Sequence, residues 1–363
     1  MIRCAEAVLD GHPDKFCDII ADRLVQLAMD VDPASCAQVE VGIWSDQIWL
    51  SGAIVSEIEF EFDAKQLITE IGSEIGYTQD NHIDAAKYQI SDHVCRVIAD
   101  PLDYADYYAD QCITIGWAGY DKKTHFLPPE QFLAHRFREA LAEATRPESE
   151  MALSGEGPDG KLLVRLRENF GGEEWCLEHI LVTLQHRPDT SLADLNEHVL
   201  ELLEGVYTKI VKDDPRWVLP FNSIAIRVNP NGAFYEGGSD SDNGQTGRKL
   251  VIDYYGPHIP IGGGALSGKS LHYIDRLAAY AARQLAVETV QEGAKDCLVQ
   301  LNYAPGVIDP LDVYISASVA SKVEKETLTK QEILKKYQNT KIGHLGCGTH
   351  FFDLNLLWNT VQE

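Results

Sequence analysis

Apolar positions along this chain follow two periods. From Phe16 through Ile19, Ile20, Leu24 and Leu27 to Ala28 they recur at helical spacing, which predicts a helix that opens at Pro13. The same spacing predicts helices over 64–76, 132–144, 191–206, 270–292 and 327–338. In the helix over 270–292, Leu271, Ile274, Leu277, Ala278, Ala281, Ala282 and Leu285 share one face, with Ser270 the expected N-cap and Gly293 the expected stop. Runs rich in β-branched and aromatic residues predict a hairpin over 37–54 that turns at Ser45-Asp46-Gln47. They also predict strands over 112–117, 162–167, 178–185, 222–228, 249–255, 297–302 and 313–317. Asp159-Gly160 and Asn229-Pro230-Asn231-Gly232 are turn signals. Residues 98–110 are acidic, tyrosine-rich and without period, the pattern of a mobile loop or lid. Strand pairs alternate with helices about three times, so the fold class is α+β, with similar layers stacked around a common centre.

Composition narrows the function. The 363 residues are 45% apolar and 24% charged, as in soluble globular proteins of two or three domains or subdomains. No apolar run is long enough to cross a bilayer, and the first residues lack an apolar signal region, so a cytoplasmic protein is expected. Eight scattered cysteines form no C-x-x-C pair, the pattern of reduced, buried thiols. A formal net charge of −25 excludes nucleic acid and anionic membrane as partners, since both need a basic face. It also makes local groups of cations conspicuous, because a polyanion is otherwise repelled.

Such groups occur, and most lie in residues 237–283. Gly244, Gly247, Gly262, Gly263, Gly264 and Gly268 free the backbone to face an anion, and Arg248, Lys249 and Lys269 follow them directly. Asp275, early in the predicted helix, is suited to hold Mg²⁺ against phosphate oxygens. Gly11-His12-Pro13-Asp14-Lys15 repeats the theme at another helix start, with Asp14 a second candidate magnesium ligand. Lys161, after Gly157-Pro158-Asp159-Gly160, is a further candidate phosphate contact. Glu40, inside the first hairpin strand, needs a cation if it is buried; if it points outward, solvent suffices. Gly263 to Ser270 also matches the phosphate-loop pattern G-x-x-x-x-G-K-[ST], but the connector before it is broken by Pro257 and Pro260, the wrong context for that motif.

Together GHPDK at the start, ADQ at 109–111, AHR at 134–136, GPDGK, NPNGAF, DNGQTGRKLVIDYYG, GGGALSGK with IDRLAAYAAR, and GHLG at 343–346 resemble the S-adenosylmethionine synthase family. The resemblance implies three similar subdomains of mixed β-sheet plus helices around a pseudo-threefold axis, here 1–103, 104–235 and 236–363. It implies a homodimer or dimer of dimers with shared active sites, and two Mg²⁺ per site together with K⁺. The reaction it implies is attack of methionine sulfur on C5′ of ATP with tripolyphosphate as leaving group, later hydrolysed to phosphate and diphosphate. By position, His12, Lys15, Lys161, Arg248, Lys249 and Lys269 match the family's ATP and polyphosphate contacts. Asp14 and Asp275 match its magnesium ligands and Glu40 its potassium-site glutamate. Phe234 matches the aromatic against adenine, Ala265 a backbone contact and Asp242 the aspartate shared by ATP and amino acid. Asp110 and Asp159 fall in the matching ADQ and GPDGK blocks.

Departures gather on one substrate. Ala53 stands where the family grips the methionine amino group with glutamate, Val97 where it has glutamine, and Tyr273 where it has lysine. Three readings stand open at this point: the synthase itself, the same ATP chemistry with another acceptor or water, and a catalytically silent ATP-binding relative.

Overall fold

The computed structural model describes residues 1–105, 110–149, 155–319 and 323–360. Its strands form three sheets. The first has the order β1-β6-β7-β8, from β1 (Ile2–Val8), β6 (Glu156–Asn169), β7 (Glu174–His186) and β8 (Ala225–Val228). The second has the order β4-β3-β2-β9, from β2 (Cys36–Trp44), β3 (Gln47–Ser56), β4 (Gln89–Ile98) and β9 (Gly244–Gln245). The third, β11-β10-β5, combines β5 (Cys112–Gly119), β10 (Asp296–Tyr303) and β11 (Asp312–Ala317). Strands distant in sequence share every sheet: β1 runs antiparallel to β6, β9 to β2 and β10 to β5.

One long helix covers each sheet. Helix α1 (Pro13–Val31) packs on β2 and β9, α4 (Pro129–Thr145) on β1 and β6, and α7 (Ile274–Gln291) on β5 and β10. The remaining helices are α2 (Ala64–Ile75), α3 (Leu102–Ala105), α5 (Leu192–Asp213), α6 (Leu250–Asp253) and α8 (Lys330–Tyr337). This is the three-layered α+β architecture expected. Its centre is aromatic: Phe351 lies 5.0, 4.9 and 6.0 Å from the rings of Tyr254, Tyr255 and Tyr280, and Trp358 stacks on Tyr280 at 3.7 Å. The Arg283 guanidinium ties this centre together by donating to the carbonyls of Trp117, His125, Phe126 and Phe351 and to Asn359 Oδ1.

Most predicted elements are present, and the exceptions have tertiary causes. Residues 249–255 form not a strand but the single turn α6, closed by the Asp253 N–H to the Lys249 carbonyl at 2.9 Å. Tyr254 and Tyr255, buried in the aromatic centre, and Lys249, bound to Asp14, fix both ends of that turn, which overrides the β preference of Val251 and Ile252. Asp159-Gly160 is no turn; it lies within β6, where the register to β7 shifts between Glu156 and Gly160. A Cβ on Gly160 would stand 2.8 Å from Leu9 Cδ1, so the glycine serves close packing. Ser270 does not cap α7. Its N–H donates to the Ala37 carbonyl on β2 at 2.8 Å and its Oγ accepts the Ala37 N–H at 3.2 Å, and the helix starts four residues later at Ile274. Gly293 ends it as expected, at φ 108°. Strands β1, β4 and β9 are not among the predicted runs, β4 being ten residues long and β9 two. Of the expected loop over 98–110, residues 106–109 lie outside the described residues; 98 ends β4 and 102–105 form α3.

Candidate active site

The N-terminus of α1 organises the first group of side chains. His12 is its N-cap, and Nδ1 accepts the Asp14 N–H at 3.2 Å, which leaves Nε2 to carry the proton of the neutral ring. Burial, and then the Lys249 charge, lower the His12 pKa to about 4, against the opposing pull of Asp14 and Asp242. At neutral pH the ring is therefore a neutral donor. Asp14, fully buried, accepts from Lys249 Nζ and from the Gln245 N–H at 2.9 Å, with Arg248 Nε at 3.4 Å. Lys161 reaches the same neighbourhood from β6, opposite Val8. Its ammonium is 3.2 Å from Glu6 Oε2, and its charge also lowers the His12 pKa. Lys161, Arg248 and Lys249 line a cleft of about 710 Å³ that continues past Glu6 and Gln131 to Ile261.

Asp159 borders this group and accepts the Gly238 N–H at 2.7 Å, while its own N–H reaches Gln185 Oε1 at 3.4 Å. Asp242 is exposed beside it and acts electrostatically on both Asp159 and His12. Phe234 joins through the strand end: its N–H donates to His186 Nε2 at 3.2 Å, and Gln185 Nε2 donates to the next carbonyl, that of Tyr235. Burial, with Asp242 adding to it, raises the Asp159 carboxyl to about 7. The unfolded group releases its proton near 3.8, so between these values the folded state binds more protons and stability falls as pH rises. His12, which stays unprotonated when folded down to about 4, acts in the opposite sense over the lower part of that range. Asp159→Asn keeps the acceptor for Gly238. It should remove a loss of up to about 1.4 kcal/mol per pH unit, seen by urea unfolding between pH 4 and 7 as a shallower decline than wild type. Parallel curves would reject this assignment.

The second group lies farther along β2. Lys269 Nζ is 2.7 Å from Asp275 Oδ2 in the first turn of α7, and burial together with the charge of the same carboxylate pushes the Cys112 thiol up. Glu40 is half-buried; burial raises its pKa and the Lys269 charge lowers it, so the cation asked of its surroundings is partly supplied by this lysine. Asp110 is exposed, its Oδ1 accepting the Gln111 N–H at 2.8 Å, and its charge is felt at Cys112. Ala265 lies against Gly247, where an added Cβ would come within 2.8 Å of its own, and so joins the two glycine loops.

These two groups do not merge. Gly42 pairs with Gln245 in the first and Gln38 with Lys269 in the second, four residues apart, or roughly 13 Å along a strand. Asp14 and Asp275 accordingly share no ligand, and among the described residues no three metal-ligating side chains converge. Lys15 belongs to neither group. Its ammonium is 1% exposed and held by Asp18 Oδ2 at 3.0 Å and Asp253 Oδ1 at 2.5 Å, so as a phosphate contact it is replaced by a core ion pair. Nor does 263–270 have phosphate-loop context, since a helical turn and not a strand precedes it. Sequence patterns did not single out Asp18, Asp22, Asp253 or Arg276, all buried at the site; the available signal was the four-residue spacing of Asp14, Asp18 and Asp22 within an apolar helix.

The positions that depart from the family resemblance line up at one corner. Ala53 pairs with Gln38 and Cys95, Val97 with Val55, which also pairs with Cys36, and Cys36 acts electrostatically on the half-buried Tyr273 phenol, whose pKa is raised chiefly by burial. None presents a charge.

Comparison with known proteins agrees with this architecture. Models of the S-adenosylmethionine synthetase N-terminal, central and C-terminal domains match residues 1–98, 107–234 and 236–347. The S-adenosylmethionine synthase of Acholeplasma laidlawii (strain PG-8A) is 34% identical over 343 residues, covering 90% of this chain and 84% of that one. That of Rhodospirillum centenum is 33% identical over 347 residues, covering 92% and 84%. Among solved structures, an S-adenosylmethionine synthetase from Campylobacter jejuni, described as unusual, superposes with a TM-score of 0.84 over 99% of this chain and 97% of its own at 24% identity, a likeness of fold. Since all three domain models match in order and a third of the residues are identical along nine-tenths of its length, the chain belongs to the S-adenosylmethionine synthetase family.

Proposed function

We propose that the chain is an ATP-dependent adenosyltransferase, making S-adenosylmethionine from ATP and methionine at a site completed by a second copy. The observation that carries this reading is the gathering of cations on a chain of net charge −25. Arg248, Lys249 and Lys161 converge with the neutral His12 around Asp14, and Lys269 pairs with Asp275 beside Glu40. Separated on one chain, the two groups form one site when a neighbouring protomer brings its second group to the first. The apolar Trp49, Ile98, Ile113 and Tyr314, exposed on the sheets, support such a homodimer. We keep the subdomain boundaries at 103/104 and 235/236, and the eight free thiols fit the reducing cytoplasm.

A thioether has no proton to lose, so the reaction needs no general base. As the new C–S bond forms, the C5′–O bond breaks and its electron pair leaves on the triphosphate. Stabilising that charge is what the preplaced cations do, each such donor contributing about 3–4 kcal/mol in a dry site. Asp14 and Asp275 are single carboxylates, which suits Mg²⁺ when phosphate oxygens complete the shell; they would hold the two ions and Glu40 the K⁺. Bound there, Mg²⁺ neutralises the same developing charge. Lys249 and Lys269, which pair with these carboxylates, would then be available to phosphate oxygens. Hydrolysis of tripolyphosphate to phosphate and diphosphate uses the same groups.

One observation favours a second reading for the acceptor. Ala53 and Val97 offer only hydrocarbon and Tyr273 only a neutral phenol, so of the family's grip on a zwitterion only Asp242 is left. A less polar thioether, another nucleophile or water then replaces methionine. Incubation with ATP, Mg²⁺, K⁺ and methionine followed by mass analysis of the nucleoside decides between them. S-adenosylmethionine is the expected product; phosphate release without a methionine adduct supports the second reading, and no ATP turnover at all rejects both.

A further inference from the structure

Helix α1 carries Asp14, Asp18 and Asp22 one turn apart on one face, and all three are fully buried. Each gives one oxygen to a backbone N–H of the glycine loops. Asp14 Oδ1 takes Gln245 at 2.9 Å, Asp18 Oδ1 takes Gly247 at 2.8 Å, and Asp22 Oδ1 takes Gly268 at 2.8 Å. The second oxygen goes to a cation: Lys249 for Asp14, Lys15 at 3.0 Å for Asp18, and Arg276 Nη2 at 3.0 Å for Asp22. Asp14 is already counted in the site. Asp18 and Asp22 touch none of the cations that face the cleft.

What they hold are the two residues directly before those cations. Gly247 precedes Arg248 and Lys249, and Gly268 precedes Lys269. Both glycines have positive φ, 78° and 79°. A Cβ at Gly268 would stand 2.2 Å from the Val39 carbonyl oxygen, and one at Gly247 would stand 2.8 Å from Ala265 Cβ. A side chain at either position is strained, and the one turn of α1 between Asp18 and Asp22 sets the spacing of the two glycine amides.

We propose that Asp18 and Asp22 are positioning residues, which set through the Gly247 and Gly268 amides where Arg248-Lys249 and Lys269 stand, so that α1 positions both groups of cations on the chain. Asp18 governs the first group of cations and Asp22 the second. The assignment rests on the polyphosphate reading above and deepens it.

Two conservative changes separate positioning from plain charge neutralisation. Asp18→Asn keeps an oxygen for the Gly247 N–H and loses the charge, while Lys15 retains Asp253. Asp18→Glu keeps the charge and moves the oxygen by one methylene. Positioning predicts that the asparagine variant keeps a KM for ATP and a Kd for magnesium tripolyphosphate close to wild type. The glutamate variant should lose about 10- to 100-fold, the effect of misplacing binding groups by about an ångström. Asp22→Asn and Asp22→Glu should repeat the order at the second group. Calorimetric titration with tripolyphosphate, on variants whose circular dichroism and oligomeric state match wild type, supplies the readout. The reverse order, or equal losses in both variants, overturns the proposal. If wild type itself binds neither ATP nor tripolyphosphate, it is the polyphosphate reading that fails. Should Asp18→Glu not fold, the Asp22 pair and the Asp18→Asn titration still decide, since a large loss in the asparagine variants contradicts positioning.

Discussion

Replacing Lys249 by alanine will lower kcat for adenosyl transfer from ATP by about 100- to 1000-fold, the effect of removing one preorganised donor from a leaving group whose charge grows in the transition state. The reason lies in its placement. The Lys249 ammonium reaches Asp14 from the start of α6, its side chain is 19% exposed, and it borders the cleft shared with Arg248 and Lys161. A group that stabilises charge more in the transition state than in the bound nucleotide acts on kcat, so KM should change less. The fold should survive, because Asp14 keeps the Gln245 N–H and Arg248. Single-turnover measurement of adenosyl product with saturating ATP and Mg²⁺ is the check. A loss smaller than about tenfold, or 1.4 kcal/mol, would remove Lys249 from the site.

The second large effect is on stability. Arg276→Met should cost about 3–5 kcal/mol, since breaking a buried pair leaves the other charge uncompensated. Arg276 and Asp22 are both 0% exposed, joined by two contacts of 2.6 and 3.0 Å, and Arg276 also donates to the Lys269 carbonyl and the Tyr280 hydroxyl. Asp22 would be left with the Gly268 N–H alone. The surface pair Arg23–Glu74, with side chains 39% and 55% exposed, provides the contrast: Arg23→Ala should cost no more than about 1 kcal/mol. Urea midpoints for the two variants test the ranking, and similar shifts in both would refute it.

Much of this architecture was legible because periodicity reports burial. Helix α1 runs from Pro13 as its apolar spacing required, the hairpin β2–β3 turns where the polar residues interrupt two β-rich runs, and Gly293 ends α7. Candidate phosphate groups were legible for a different reason: in so acidic a chain, basic residues beside glycine stand out. Lys249–Tyr255, by contrast, reads as a strand to any local rule. It becomes α6 because Tyr254 and Tyr255 enter a core built partly from Phe351, nearly a hundred residues away. Ser270 reads as a cap, and becomes a bridge to Ala37 because β2 passes within hydrogen-bonding distance.

By itself, then, the sequence determined the α+β class, most helices and strands, the family, and which basic residues gather beside glycine. Only tertiary structure decided where each charge points. It turned Lys15 inward between Asp18 and Asp253, divided the remaining cations between two places on β2, and lined Asp18 and Asp22 against the glycine amides. The physical reason is that period and composition are properties of neighbouring residues, whereas the partner of a buried charge is chosen by whichever distant segment the fold brings beside it.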